Sequence, residues 1–122
     1  MRYLVAIVAV ALMSCSDARN FSPTEAWNIV LACDALAERY PIAAGEAKHP
    51  KSEDWPAALS LLSPEAVRVD STGVHVRLES HYVEEEGLYV PAPSLKAEPP
   101  GNEADPSYER IAPRLYRYRV KG

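Results

Sequence analysis

The sequence predicts an α+β fold in which two N-terminal helices pack on one side of a small antiparallel sheet of three to four strands. Two periodicities support this prediction. Up to about residue 62, apolar side chains recur every three or four residues, which is typical of helices. From Val67 onward they alternate with polar side chains, which is typical of strands buried on one face.

The first predicted helix follows a strong start signal and ends at about residue 40. Ser22 can cap it, Pro23 suits its first turn, and Glu25 stands where a capping box needs an acid. Pro41 then stops it. At 100° per residue, one side forms an apolar stripe that consists of Ala26, Ile29, Val30, Cys33, Leu36, Ala37 and Tyr40. Because Cys33 lies in the middle of this stripe, we expect its thiol to be buried and unreactive.

Two large apolar residues of this helix, Trp27 and Leu31, lie outside the stripe and one turn apart. Either a later segment of the chain covers them, or they form a small exposed anchor for a partner. The second alternative rests on the frequency of aromatic residues at such anchors.

A second, short helix is predicted from Asp54. Its apolar side chains have helical spacing and are Trp55, Ala58, Leu59 and Leu62. Ser63 and Pro64 end it. We expect both helices to cover the same face of the sheet.

The strands follow in the second half of the chain. Residues 67–70 and 74–79 alternate about a turn at 71–73 and predict a hairpin. Further strands are predicted at about 87–90 and at 115–120. Five prolines between residues 91 and 106 mark a long stretch, 91–113, that is predicted to be irregular.

Two charged segments of the predicted sheet have opposite signs. Three glutamates stand together at 84–86, with the outer two on the side of Tyr82 and the middle one opposite. The last strand carries Arg117 and Arg119. If these segments are neighbours, cross-strand charge pairs fix their register at about 0.2–1 kcal/mol each. Alternatively, the arginines and nearby tyrosines bind an acidic partner or lipid headgroups.

The N-terminus has the pattern of a secretory signal. Arg2 is followed by an uncharged apolar run and then by small residues from Ser14 onward. The run is shorter than the roughly 20 residues that cross a bilayer. An ordinary signal peptidase site after Ala18 is one alternative, because a small-x-small pattern precedes the cut.

The favoured interpretation is lipid attachment, ahead of this cleavage site and of an uncleaved or cytosolic chain. The segment Leu12-Met13-Ser14-Cys15 resembles the lipobox of bacterial lipoproteins. The resemblance implies that residues 1–14 are removed as a signal peptide and that Cys15 is acylated and anchors the chain to a membrane. Residues 15–21 would then be a short tether before a single domain at 22–122.

The same resemblance implies a location in the cell envelope, on the periplasmic side. Ser16 stands where an aspartate is associated with retention in the inner membrane, so the outer membrane is favoured. At about 3.5 Å per residue the tether spans only some 15–20 Å, which holds the domain close to the bilayer.

The C-terminal half has a second resemblance. The runs GVHVRLESHYVEEEGLYV and DPSYERIAPRLYRYRVKG resemble the tails of a group of small uncharacterised bacterial envelope proteins. That resemblance implies kinship and no mechanism.

Composition narrows the classes of function. The 107 residues after Cys15 suffice for one domain and carry 12 basic against 17 acidic side chains, which argues against a nucleic-acid partner. His49, His75 and His81 lack metal-ligand spacing, and neither a G-x-S-x-G motif nor a phosphate-binding glycine loop is present in the sequence. The sequence therefore predicts no metal and no cofactor, and it favours a protein that is not an enzyme.

Two functions remain open at this stage. The first is a non-catalytic module that binds a protein partner, for example an immunity-type inhibitor of a secreted toxin. The alternative is an envelope glycan- or lipid-binding protein, or a hydrolase, that uses Glu84 and Glu86. The candidate binding residues are Trp27, Leu31, Tyr82, Glu84, Glu86, Arg117 and Arg119.

Overall fold

The structure is a computed structural model, and it describes residues 20–101 and 103–122. The predicted signal peptide, Cys15 and the predicted tether as far as Arg19 lie outside these residues. Within the described part of the chain, every helix is too short or too polar to cross a membrane.

The first helix, α1, spans Pro23–Arg39 and confirms the prediction from the capping signal. The backbone N–H of Glu25 donates to Ser22 Oγ at 3.1 Å, and the backbone N–H of Ser22 donates to Glu25 Oε1 at 2.9 Å. Its inner side carries the predicted stripe in the core, and its buried residues are Ala26, Ile29, Val30, Ala32, Cys33 and Leu36.

The second predicted helix is wrong in length. A 3₁₀ turn at Ser52–Asp54 is followed by a single helical turn, α2, at Ala57–Ser60. Pro56 separates them, because proline has no N–H to donate and forces the residue before it out of the helical region. Trp55 is accordingly extended, with φ −72° and ψ 135°. Leu59 still reaches the core and is fully buried.

In the described residues the sheet is larger than predicted, with six antiparallel strands. They are β1 (Ala47–Lys48), β2 (Ala66–Asp70), β3 (Gly73–His81), β4 (Glu84–Pro91), β5 (Ser107–Ala112) and β6 (Leu115–Val120). Their spatial order is β1-β2-β3-β4-β6-β5. The predicted fold class, two helices on three to four strands, is therefore wrong: the described chain is mostly β, with one helix longer than a few turns.

One of the pairings is the hairpin that the alternation predicted. The β2–β3 hairpin has the predicted turn, in which the Asp70 carboxylate accepts the backbone N–H groups of Thr72 at 2.9 Å and Gly73 at 3.2 Å. β3 continues into β4 through Tyr82 and Val83. β4 then pairs with the last strand, β6, so the condition for charge pairs between these segments is met.

The two edge strands are where the prediction failed. β1 lies in a stretch without apolar alternation and has only two residues, both exposed. β5 lies inside the stretch predicted to be irregular; Pro106 precedes it, Pro113 follows it, and its register shifts between Arg110 and Ala112. Prolines are tolerated at such edges because one side of the strand has no hydrogen-bonding partner.

The inner face of the sheet carries the hydrophobic core. Val76 of β3 pairs with Val67 of β2 and with Leu88 of β4, so the three side chains share one face. α1 and α2 cover this face. The members of the core that come from the sheet are Val67, Val69, Val74, Val76, Leu88, Val90 and Leu115. The opposite, outer face has a different composition.

Candidate binding surfaces

The outer face of the sheet is aromatic. His75 pairs with Tyr89 across β3 and β4, and Tyr89 pairs with Tyr116 across β4 and β6. The His75 ring stacks on Tyr89 at 4.4 Å between ring centroids and meets Tyr118 edge-on at 5.0 Å. We call this set the aromatic layer; it consists of His75, Tyr89, Tyr108, Tyr116 and Tyr118.

His75 is held in one neutral form by its two partners. Arg68 can only donate, so its Nη2, 3.1 Å from His75 Nδ1, requires that nitrogen to be the acceptor. Nε2 then carries the proton and donates to the hydroxyl of Tyr108 at 3.1 Å. Burial and the nearby Arg68 charge lower the pKa of His75 to about 4, although Asp70 acts in the opposite direction.

The aromatic layer closes over the middle of this face. Two strands lie between β3 and β5, so a spacing of about 4.8 Å puts His75 and Tyr108 roughly 14 Å apart at the backbone. Their side chains meet only because they lean toward each other over Tyr89 and Tyr118, which are buried. The layer therefore acts as a second core and fills the face that α1 does not cover.

The predicted charge pairing between β4 and β6 is confirmed. Glu86 pairs with Arg119 in the register, and its Oε1 lies 3.1 Å from Arg119 Nη2 and 3.5 Å from Arg117 Nη1. Glu109 of β5 extends this network to Arg117 at 3.0 Å. Three predicted binding residues thus meet on the inner face beyond α1. A shallow cleft there, of about 220 Å³, is lined by Ser107, Glu109, Arg117, Arg119 and Lys121.

The three adjacent glutamates are used differently, as strand alternation predicted. Glu85 points to the outer face, where it accepts the hydroxyl of Tyr118 at 2.5 Å. Burial and this hydrogen bond raise the pKa of Tyr118 well above its usual range. Glu84 is exposed at the start of β4. Among residues 20–101 and 103–122, no three His, Cys, Asp or Glu side chains are placed to hold a metal ion together.

The turn between β3 and β4 exposes two apolar side chains. Tyr82 is 94% exposed and Val83 is 70% exposed, and we call this pair the hairpin tip. Tyr82 has a left-handed backbone with φ 58°, and its ring meets that of His81 edge-on at 4.5 Å. The end of the chain lies against the tip, because a Cβ on Gly122 would come 2.3 Å from Val83 Cγ2.

Carboxylates surround the hairpin tip. Between Glu79 and Glu86 the chain carries four glutamates and neither lysine nor arginine. A cleft of about 380 Å³ at the base of the tip is lined by Glu65, Glu79, Ser80, His81, Glu84, Glu85, Glu86 and Arg119. An apolar tip with an acidic surround is therefore the most distinctive surface of the sheet.

The apolar pair on α1 is exposed. In the described part of the chain, Trp27 is 52% exposed and Leu31 is 46% exposed. No later segment in that part covers them, as one of the two alternatives required. Asp34 lies on the same side of α1 as Trp27 and Leu31, one turn beyond Leu31, and binds Arg114 of the β5–β6 turn. The side of α1 that carries Trp27 and Leu31 therefore lies toward the β5–β6 hairpin.

The prediction for Cys33 is confirmed. Its side chain is fully buried on the inner side of α1. Burial, together with the charge of Asp34, raises the pKa of its thiol well above the usual range. Cys15 lies outside the described residues, so its acylation stays a prediction.

Of the residues predicted to bind a partner, Glu86, Arg117 and Arg119 are brought together by the register, whereas Tyr82 and Glu84 lie at the β3–β4 turn. The aromatic layer was not predicted, because the pairing of four strands decides which tyrosines share a face. No protein-family model, no curated protein and no solved structure matches the chain.

Proposed function

We propose that this chain is an envelope lipoprotein, anchored through Cys15, that binds another protein without catalysis and does so through the hairpin tip. An immunity-type inhibitor of a secreted toxin is the concrete form of this proposal. The partner that the tip fits is a basic protein with an apolar recess.

The exposure of Tyr82 and Val83 carries the proposal. A tyrosine that is 94% exposed and a neighbouring valine that is 70% exposed contribute little to the hydrophobic stabilisation of the fold. Tyrosine is, however, among the residues that most often dominate binding energy at protein interfaces. A tip of this kind is suited to insertion into a pocket on a partner.

The hairpin holds the tip in a defined shape. His81 and Glu84 pair directly on either side of the turn, and the end of the chain lies against Val83. A contact surface that is ordered before binding loses less conformational entropy on association. The tip can therefore act as a preformed anchor.

The charge around the tip specifies the partner. Glu79 and Glu84 are exposed beside it. The charged residues at the ends of β3 and β4 next to the tip are all glutamates. Complementary charge raises the association rate and excludes like-charged proteins. A basic partner satisfies both conditions.

Binding is favoured over hydrolysis because two of the three adjacent glutamates already have partners. Glu86 contacts two arginines, and Glu85 accepts the hydroxyl of Tyr118. Paired carboxylates that act as acid and base need access to a substrate. Among Glu84, Glu85 and Glu86, only Glu84 is free to reach a substrate. A single carboxylate cannot supply both the acid and the base.

Co-purification from detergent-solubilised envelopes, read by mass spectrometry, tests the proposal. Tyr82→Asn removes the ring, and asparagine tolerates the left-handed backbone at this position. We expect this variant to lose a stoichiometric basic partner that the wild type retains. Leu61→Asn is the matched control, because Leu61 is 85% exposed at the end of α2 and is not part of the tip. Equal recovery with both variants contradicts the role of the tip, and absence of any partner contradicts the function.

A second experiment tests the charge. Glu79→Gln and Glu84→Gln together should slow association and reduce its dependence on ionic strength. Glu98→Gln removes an exposed charge from the segment between β4 and β5 and should change neither quantity. An association rate that is insensitive to salt in the wild type contradicts a basic partner.

A further inference from the structure

We propose that the outward side of α1 rests on the surface of the membrane to which the chain is anchored, with Trp27 at the level of the lipid headgroups. This inference rests on the membrane anchor in the proposed function and adds a second point of contact. It concerns a different surface from the hairpin tip.

The outward side of α1 lacks free charge over most of its length. Its exposed residues before Glu38 that do not take part in capping are Pro23, Thr24, Trp27, Asn28, Leu31 and Ala35. The charged residues in that stretch are already engaged: Glu25 closes the capping box, and Asp34 binds Arg114. A helix side that faces water normally carries charged residues, so this side is adapted to another surface.

Distance along the chain favours the membrane as that surface. Phe21 follows Cys15 by six residues along the chain, a reach of about 20 Å at most, and α1 begins two residues later. Trp27 then follows the start of α1 by about 6 Å along the helix axis. A lipid anchor on Cys15 consequently keeps this flank of α1 within reach of the bilayer.

The composition of the outward side of α1 suits the interface between lipid and water. Tryptophan is enriched there because its ring is apolar and its N–H can still bond to headgroups or water. Threonine and asparagine remain hydrated at that level, whereas carboxylates near an anionic membrane are repelled. In a chain with a net charge of −4, the part of this side from Pro23 to Ala35, which ends before the exposed Glu38, is the part that can approach lipid.

Quenching of tryptophan fluorescence tests the contact. The protein is purified from envelopes, its intact mass is measured, and it is reconstituted in phosphatidylcholine vesicles that contain brominated phosphatidylcholine. Trp55→Phe leaves Trp27 as the emitter, and Trp27→Phe leaves Trp55, which is half-buried and donates its Nε1–H to Pro50. We expect bromine to remove most of the Trp27 emission and little of the Trp55 emission.

A charge placed on the flank should break the contact. In the Trp55→Phe background, Leu31→Asp should restore Trp27 emission in brominated vesicles, whereas Leu61→Asp, at an exposed leucine outside the flank, should not. Equal quenching of Trp27 and Trp55, or quenching that survives Leu31→Asp, overturns the inference. Loss of a co-purified protein in Leu31→Asp without any quenching would instead assign the flank to a protein.

The outcomes separate this inference from the proposed function. An intact mass without acyl chains would show that Cys15 is not acylated. It would contradict both the lipoprotein assignment and the membrane contact. An acylated mass without Trp27 quenching overturns the contact alone. Retention of quenching in Tyr82→Asn, with loss of the partner, supports both surfaces independently.

Discussion

The guanidinium of Arg114 binds both carboxylate oxygens of Asp34, at 2.7 and 2.9 Å, and so joins the β5–β6 turn to α1. The same guanidinium donates to the carbonyl of Pro91 at the end of β4. Arg114 itself has a left-handed backbone with φ 62°, directly after Pro113. One side chain therefore ties together a helix, a strand end and a strained turn.

Loss of this ion pair should destabilise the fold. We expect Asp34→Asn to lower the free energy of unfolding by about 1–2 kcal/mol, because a two-pronged, charge-assisted contact is lost. Arg39→Gln is the control: its ion pair with Asp54 is long, at 3.9 Å, and about half exposed, and its other contact is a hydrogen bond to the Asp54 carbonyl at 3.1 Å, so about 0.5 kcal/mol or less is expected. Chemical denaturation measures both, and equal effects would contradict the assignment.

His75 should make stability depend on pH. Its pKa is lowered to about 4 in the folded protein from an ordinary 6.5, so the unfolded chain binds more protons between these values. Stability contributed by neutral His75 is complete above pH 6.5, falls as the pH drops, and has lost about 3 kcal/mol once the pH is below 4. Denaturation at several pH values measures this slope.

A second histidine separates this effect from other titrations. His75→Gln should flatten the dependence of stability on pH between 6.5 and 5, whereas His81→Gln, at an exposed histidine, should leave it unchanged. Persistence of the slope in His75→Gln would assign it to another group.

Glu84 and Glu86 should differ in their effect on folding. Glu86→Gln weakens contacts with Arg117 and Arg119 and should lower the free energy of unfolding by about 1 kcal/mol. Glu84→Gln should leave it within about 0.5 kcal/mol, as expected for a surface substitution. Thermal denaturation distinguishes them, and a stable Glu86→Gln protein would show that the network contributes little.

Cys33 should be protected from thiol reagents while the protein is folded. Its side chain is buried and its thiol pKa is raised by burial, so almost no thiolate is present or accessible. A maleimide should label it only in denaturant. Labelling of the native protein at a rate that does not depend on unfolding would contradict this placement.

Gly87 should tolerate no side chain. A Cβ there would lie 2.0 Å from the carbonyl oxygen of Val76 and 2.9 Å from Tyr118 Cε1 of the aromatic layer. We expect Gly87→Ala to lower the free energy of unfolding by about 3 kcal/mol, the upper range for overpacking. Gly101→Ala, with open space around it, should have little effect in the same denaturation experiment.

Elements with a strong local signal could be predicted from the sequence. The capping box fixed the start of α1, and alternation located the β2–β3 hairpin, β4 and β6. The predicted second helix failed because the spacing of Trp55 and Leu59 is helical, whereas Pro56 between them interrupts the backbone. The spacing of apolar residues does not show that Pro56 lacks the backbone N–H that a continuous helix needs.

The remaining failures concern pairing between distant segments. β5 has no fully buried residue, and its sequence does not alternate between apolar and polar side chains, so no apolar alternation identified it. The aromatic layer depends on which residues of β3, β4, β5 and β6 stand opposite one another, and a one-residue slip would have put each tyrosine on the other face. The pairing of β4 with β6 was one of two alternatives that the opposite charges of the two segments suggested, and the structure supplies its register.

The edge strands of the sheet affect whether copies of the chain associate with one another. Proteins held on a membrane meet one another at high local concentration and in a common orientation, so an open strand edge would invite them to join into extended sheets. β1 offers only two residues, and β5 is bounded by Pro106 and Pro113 and has a shift in register. If the chain is anchored as proposed, these short and interrupted edges disfavour extension of the sheet from one copy to the next.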